Sequence, residues 1–286
     1  MSNFIVHDRF YFSSDTISLV NKYNGSTFVV KYGGSVMNSD TLKCQIIEDL
    51  CLLYFFGINI ILVHGGGILI NHWLSKFGIK PKFLDGVRVT DYDTMKVVEM
   101  VLSGQVNKDL VALFDQHNIF SVGLSGKDAG LIRASHLFSS TENFTGKIDN
   151  INTRVLHLLL SNRCIPVIAS IGSDSNGKTY NVNADTAASA IASAVQAEKL
   201  ILLTDAPGVL RDINDESSLI KDLNLQTIQE LRLNNIISAG MIPKIQSCVD
   251  ALHSNVKSVH IIDGRMKHSL LREVLTSTRI GSMVVL

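Results

Sequence analysis

The sequence predicts an α/β fold in which a mostly parallel β-sheet is covered by helices on both faces. Short, near-continuous apolar strands alternate with amphipathic helical segments along most of the chain. Strands that are apolar at nearly every position belong in a sheet buried on both sides. Three of these strands also run directly into glycine turns. Ligands sit at that carboxyl edge in open parallel sheets.

The elements come in this order. Ser14, Ile17, Val20 and Tyr23 have weak helical spacing, and Asn24-Gly25 is a stop signal. TFVVKYGG is a β-branched strand ending in glycines. IIEDLCLLYFF reads as a helix, INIILVHGGG as a strand and loop, and ILINHWLSKFG as a helix closed by Gly78. Arg88 falls in a loop before TMKVVEMVLSGQVNKDLVALFDQH, which reads as one long helix. IFSVGLSG, CIPVIASIG, KLILLTD and SVHIID are further strands, and the small-residue helix TAASAIASAVQ precedes KLILLTD. Residues 131–149 are more polar and lack helical period, so they read as strands or a hairpin over a site. The pattern restarts near residues 196–199. This divides the chain into an extension (1–25), an N-terminal lobe (26–197) and a C-terminal lobe (198–286).

Composition narrows the function. With 286 residues and 46% apolar content, the chain can bury a substantial core. Its 26 Lys and Arg balance 26 Asp and Glu, which leaves no basic field for nucleic acid and no basic face for a membrane. The longest apolar runs are strand-sized, far below a membrane span. MSNFIVHDRF has neither the apolar region of a secretory signal nor the Arg-rich bias of a transit peptide. Cys44, Cys51, Cys164 and Cys248 form no CxxC pair and are expected to be reduced and mostly buried.

An anionic ligand must then be held by local arrangements. The glycine loops are Gly33-Gly34, Gly65-Gly66-Gly67, and the segment from Gly123 to Asp128. Parallel strands can bring all three to one edge, where backbone N–H groups and helix N-termini favour anions. Neither GxxxxGK[ST] nor GxGxxG occurs, so this is a different phosphate arrangement. Lys31 ends an apolar strand and needs an anionic partner there. Asn181, Asn183 and Asp185 place three polar side chains in five positions, more than helix capping alone requires. Arg88 offers a fork suited to a carboxylate. The turn from Thr204 to Val209 can wrap a nucleotide. Lys244 opens a helix, where the macrodipole disfavours a cation unless an anion compensates. His64 reads as structural or orienting rather than catalytic. Taken singly, each feature also fits a plainer reading: a tight turn, a snorkelling lysine, a helix cap or a surface arginine.

Taken in order, VVKYGGS, LVHGGG, GVRVTD, VVEMVLSGQVNKDLV, GLSGKD, YNVNAD, LLTDAPGVL and AGMIPK resemble the amino acid kinase family. The resemblance covers nearly all the chain from Thr27 onward. VVEMVL and YNVNAD point within the family to the branch that phosphorylates N-acetyl-L-glutamate in arginine biosynthesis. The resemblance implies a three-layer αβα sandwich, with the acyl substrate on the N-terminal lobe and ATP on the C-terminal lobe. It implies Mg²⁺ carried with the nucleotide and no metal site of the protein's own. Lys31 and Lys244 would stabilise the transferring phosphoryl group, and Asp185 would hold both lysines. Gly33, Gly34, Gly65, Gly66 and Gly67 would turn backbone toward phosphate. Gly65, Gly66, Arg88 and Asn181 would hold the substrate, and Thr204, Asp205, Gly208 and Val209 the nucleotide.

The resemblance extends to regulation. Residues 1–25 look like the helix that joins homodimers into a homohexamer. His268 and Glu273 fit the arginine-effector pattern HxxxxExxT. Leu19 replaces the usual tyrosine, and Arg279 the usual glycine. Such members in photosynthetic lineages also bind the PII signalling protein, in a bacterial-type cytoplasm or a plastid stroma. The alternatives are a related amino-acid carboxylate kinase, or a non-catalytic sensor of nucleotide or arginine. The presence of Lys31, Asp185 and Lys244 argues against the sensor.

Overall fold

The computed structural model describes residues 14–84, 87–233, 236 and 241–285. Residues 1–13 of the extension, Asp85 and Gly86, and Ser238, Ala239 and Gly240 of the lysine-bearing motif lie outside the described residues.

The chain runs α1 (Ser14–Tyr23), β1 (Thr27–Tyr32), a 3-10 turn (Gly34–Asn38), α2 (Asp40–Phe55), β2 (Asn59–His64) and α3 (Gly67–Lys76). Next come β3 (Lys82–Leu84), β4 (Val87–Val89), α4 (Tyr92–Glu99), a π-helical segment (Met100–Val106) and α5 (Asn107–Gln116). β5 (Ser121–Ser125), β6 (Ile132–His136), β7 (Thr145–Ile151), α6 (Arg154–Ser161), β8 (Ile165–Ala169) and β9 (Ile171–Ser173) succeed them. Then come β10 (Thr179–Val182), α7 (Ala184–Ala194), β11 (Lys199–Thr204), β12 (Asp222–Leu223) and α8 (Leu225–Leu233). The chain closes with α9 (Met241–His253), β13 (Ser258–Asp263), α10 (Ser269–Leu275) and β14 (Ser282–Val284).

The main sheet has the order β12-β14-β13-β11-β1-β2-β8-β5. From β13 to β5 every pairing is parallel, and β14 turns antiparallel against β13. Period-two alternation builds the layers. Phe28, Val30, Ile60, Leu62, Ile201 and Leu203 face a core with α2, α3, α5 and α10. Val29, Ile61, Val63, Leu200 and Leu202 face the opposite core with α7, α8 and α9. Each such fully buried aliphatic contributes about 1.5–3 kcal/mol. β1 pairs with both β2 and β11, so one sheet runs through both halves of the chain. Ala187, Ala188 and Ala192 are fully buried, which lets α7 lie close against β1 and α9.

The polar stretch 131–149 forms β6 and β7, which close a small barrel with β9 and β10. Because β6 and β9 come directly after the ends of β5 and β8, the barrel stands over the carboxyl edge of the sheet. Three readings need correction. Arg88 is not in a loop: it sits in β4, paired antiparallel with β3. The long helix is interrupted by a π-helical segment, Met100–Val106, in which i→i+5 bonding replaces the α-helical pattern. Cys44 is exposed while the other three cysteines are buried. It lies one turn into α2, outside the run from Ile46 to Leu53 that packs on the sheet.

At the opposite edge of the sheet, Lys199 opens β11 with only 6% of its surface exposed. Its Nζ donates to Ser258 Oγ at 3.1 Å, meets His260 Nε2 at 3.0 Å and lies over the Tyr23 ring. Burial pulls this ammonium down to about 8. A depressed lysine costs stability fully below the folded value, and the cost disappears as pH rises through the unfolded value. The Lys199→Met variant is therefore expected to be more stable at pH 7, by about 3 kcal/mol at most. The gain should shrink above pH about 8 and vanish near the ordinary lysine value of 10.5. Urea unfolding across that range measures it, and a pH-independent difference would rule out this origin.

Candidate active site

Lys31 lies near the end of β1 and shares the face of Val29. Its Nζ is 3.0 Å from Asp185 Oδ1. Asp185 occupies the first turn of α7, whose N-cap Asn183 accepts from the Asp185 and Thr186 amides at 2.9 and 3.1 Å. Lys244, in the first turn of α9, donates to Asp185 Oδ2 at 2.7 Å. Residues 31, 185 and 244 thus form one ion triad. Burial pulls the Lys31 ammonium below its ordinary value, and Asp185 opposes that pull. Burial alone would raise the Asp185 carboxyl, but Lys31 and Lys244 outweigh it and hold the group at about 2. Two ammonium groups share one carboxylate, which leaves an excess positive charge beside the cleft. The anion that the helix macrodipole requires near Lys244 is Asp185.

The cleft encloses about 220 Å³ and is lined by Lys31, Gly33, Gly34, Gly65, Gly66, Gly67, Arg88 and Asn181, among others. It suits a small metabolite rather than a whole nucleotide. A Cβ on Gly33 would stand 3.0 Å from Lys31 Nζ and press on the ammonium. A Cβ on Gly66 would stand 2.6 Å from Leu102 Cδ2.

Arg88 reaches the cleft from β4, with its guanidinium over the Phe83 ring. Nη2 donates to Asn71 Oδ1 at 2.6 Å and to Gly67 O at 3.2 Å. Nη1 is buried with no partner among the described residues, a costly state that an anionic ligand would relieve. The Arg88 carbonyl accepts from Thr145 Oγ1 at 2.7 Å and Thr90 Oγ1 at 3.2 Å. Asn181 Nδ2 also donates to Thr90 Oγ1, at 3.0 Å. The barrel and the β3–β4 hairpin are thereby tied together around the cleft.

The turn from Thr204 to Val209 leaves the same sheet edge at β11. The Ala206 amide donates to Thr204 Oγ1 at 2.9 Å, and the Val209 amide donates to Ser282 Oγ at 2.8 Å. Gly208 has φ +149°, and a Cβ there would stand 2.5 Å from Ser282 Oγ. Beside it is a small apolar hollow of about 70 Å³ lined by Val209, Leu210, Ile213, Ile236 and Met241. Asp205 is exposed at the turn.

The convergence expected of three glycine loops is corrected to two. The loop from Gly123 to Asp128 does not line the cleft. A Cβ on Gly126 would stand 1.9 Å from the Ile171 carbonyl oxygen, so that glycine serves close packing of the barrel. Lys127 pairs with Glu99 at 2.7 Å, and Asp128 accepts from the Ser125 amide at 2.6 Å. His268 and Glu273 also lie away from the cleft. His268 Nδ1 is 2.7 Å from Asp49 Oδ1. Glu273 meets His260 Nδ1 at 2.7 Å and accepts from the Ile280 and Gly281 amides at 2.9 and 3.0 Å. Arg279 pairs with Asp222 at 2.5 Å. Thr90, Thr145, Ser170 and Leu102 belong to the site or its support but come from separate elements without a shared motif. No spacing signal in the sequence marks them.

The model of the amino acid kinase family matches residues 26–263. Acetylglutamate kinase of Gracilaria tenuistipitata var. liui is 54% identical over 280 residues, which is 98% of each chain. Acetylglutamate kinase of Prochlorococcus marinus (strain NATL2A) is 48% identical, over 95% of this chain and 90% of the relative. Among solved structures, N-acetylglutamate synthase from Neisseria gonorrhoeae, complexed with coenzyme A and N-acetyl-glutamate, gives a TM-score of 0.84 at 25% identity. The match covers 95% of this chain and 62% of the synthase, so this chain spans about three-fifths of that protein's length. Giardia carbamate kinase shares the fold, with a TM-score of 0.63 at 15% identity over 91% of this chain and 99% of that one.

Proposed function

The chain belongs to the amino acid kinase family, and we propose that it transfers the γ-phosphoryl group of ATP to the γ-carboxylate of N-acetyl-L-glutamate, a step of arginine biosynthesis. The observation that carries this reading is the largely buried Lys31–Asp185–Lys244 triad, with its excess positive charge, beside a cleft lined by Arg88, whose Nη1 has no partner among the described residues. The names of the relatives, at about half identity over nearly the full chain, supply the substrate.

The nucleophile is a carboxylate already ionised at neutral pH, so no general base is required. The work is to position two anions that repel each other and to neutralise charge on the transferring group. In this reading Arg88 and Asn181 hold the substrate's polar groups beside Gly65 and Gly66. Lys31 and Lys244 contact the phosphoryl oxygens, and Asp185 holds both ammonium groups in place. Gly33 and Gly34 allow backbone approach to phosphate. Thr204, Asp205, Gly208 and Val209 face the nucleotide, with the apolar hollow beside Val209 suited to its base. Mg²⁺ carried with the nucleotide would supply further neutralisation of phosphate charge. The acyl-substrate lobe is placed at 26–197 and the nucleotide lobe at 198–286.

For assembly, we propose a homodimer joined into a homohexamer through residues 1–25. The described part of that extension, α1, is anchored by Thr16 Oγ1, which donates to Leu275 O at 3.1 Å. An arginine seat on His268 and Glu273 would require release from Asp49 and His260, and an arginine titration of turnover with and without Glu273→Gln tests it. Relatives from algae and cyanobacteria fit a plastid stroma or a bacterial-type cytoplasm, with the PII protein as a partner to be tested by co-elution.

The deciding assay is acyl-phosphate trapping by hydroxylamine with Mg²⁺-ATP. Hydroxamate is expected with N-acetylglutamate and at background level with aspartate or glutamate. Equal product from all three would remove the substrate assignment.

A further inference from the structure

Resting on that kinase reading, we propose that His64 and Asn107 form a latch behind the second glycine loop. It turns the Gly65–Gly66 peptide so that the Gly66 N–H, and not the Gly65 carbonyl, faces the anion in the cleft. His64 would be a positioning residue for the reaction.

His64 is the last residue of β2 and is fully buried. It has the parity of Ile60 and Leu62, so it lies on the sheet face opposite Lys31. Asn107, also fully buried, opens α5 directly after the π-helical segment. Asn107 Nδ2 lies 2.9 Å from Val167 O and 3.2 Å from Leu124 O. Carbonyl oxygens only accept, so the NH₂ end of the amide must be the end that faces them. The other end, Oδ1, accepts from Lys108 Nζ at 3.0 Å. The same NH₂ group lies 3.1 Å from His64 Nε2. That NH₂ group has two hydrogens for three acceptors, so the tautomer is set at the other ring nitrogen. Nδ1 faces the Gly65 carbonyl, which only accepts, and therefore carries the proton of the neutral ring, leaving the Nε2 lone pair toward the amide. Nδ1 is 3.0 Å from Gly65 O and donates to it. Burial lowers the ring's pKa to about 4, with Lys108 adding to the effect, so this neutral form persists at neutral pH.

A planar trans peptide points its C=O and the following N–H in opposite directions. Drawing the Gly65 carbonyl back to His64 therefore turns the Gly66 N–H away from the ring. Among the described residues no acceptor takes that N–H, and Gly66 lines the cleft. Two consecutive glycines offer little resistance to a flip of the peptide between them. Flipped, it would aim a carbonyl lone pair at the phosphoryl oxygens. The latch and the π-helical segment work together: Leu102 and Val106 of that segment close on Gly66, while Asn107 beyond it reaches His64.

The test compares kcat and KM of wild type, His64→Asn and His64→Gln in the hydroxamate assay. An asparagine amide nitrogen falls near the position of Nδ1, whereas a glutamine amide nitrogen falls near that of Nε2. The Asn variant is expected to stay within about tenfold of wild-type kcat and the Gln variant to lose about 100-fold, with KM little changed. Equal losses in the two, or no loss in Gln, would overturn the latch. Nitrogen-15 NMR of the histidine-labelled full chain reads the tautomer without any variant folding. A ring protonated at Nδ1 supports the proposal, and one protonated at Nε2 overturns it. A wild type that forms no hydroxamate overturns the kinase reading itself. An active wild type with an indifferent Gln variant overturns only the latch.

Discussion

Lys31→Ala is expected to lower kcat by about 10²- to 10³-fold while leaving the fold intact, because it removes a preorganised cation from the position where phosphoryl charge develops. Stability should be equal to wild type or higher, since burial already pulls the Lys31 ammonium below its ordinary value. Lys31→Arg should not rescue it. The planar guanidinium fork puts its charge and donors elsewhere than the compact ammonium that meets Asp185 at 3.0 Å. Lys244→Ala should lose activity comparably, because it contacts the same carboxylate at 2.7 Å. Steady-state kinetics by hydroxamate formation, with urea unfolding of the same preparations, checks both halves. Near-normal turnover in either alanine variant would defeat the assignment of these lysines.

Asp185→Asn is expected to be at least as severe, at roughly 10³-fold in kcat, for a different reason. The variant keeps shape but leaves two ammonium groups facing each other without a counter-charge. Asp185 is the chief influence raising Lys31 against burial, so its loss should drive the Lys31 ammonium lower still. The residual activity is then expected to rise as pH falls, because only protonated Lys31 can serve. In the wild type, Asp185 sits at about 2 against an ordinary 3.8, so no acid limb from this group should appear above pH about 4. Its contribution to stability is present above the ordinary carboxylate value and lost as pH falls through about 2. Removing one partner of such a buried cluster should cost roughly 3 kcal/mol at pH 7, in contrast to Lys31→Ala. A flat pH profile for Asp185→Asn, or unchanged stability, would refute the triad as an electrostatic unit.

Much of the molecule is legible without its fold. The near-continuous apolar runs in TFVVKY, NIILVH and KLILLT mark strands buried on both faces, and the helices between them follow period 3.6. Lys31 is recognisable as a lysine in want of an anion, and Lys244 as a cation at the wrong end of a helix. His64 reads as structural or orienting, and its partners have no signature in the sequence. Arg88 reads as a loop residue because a three-residue strand such as VRV gives too short an alternation to recognise. The third glycine loop groups with the other two because a glycine needed for packing and one that admits a ligand look the same in sequence.

The sequence alone determined the layered parallel architecture, the family resemblance and the residues that carry charge to the carboxyl edge. These rest on local backbone periodicity, on glycine's lack of a side chain and on the cost of burying an unpaired charge. The resemblance already implied that Asp185 holds both lysines; only the tertiary structure supplied the contacts, 3.0 Å to Lys31 from β1 and 2.7 Å to Lys244 from α9. It also decided that Gly126 packs against Ile171 while Gly66 opens on the cleft, and that Glu273 is already satisfied by His260 and two backbone amides. Those outcomes depend on strand order, register and the hydrogen-bond partners each buried group finds, and none of these is encoded in the spacing of neighbouring residues.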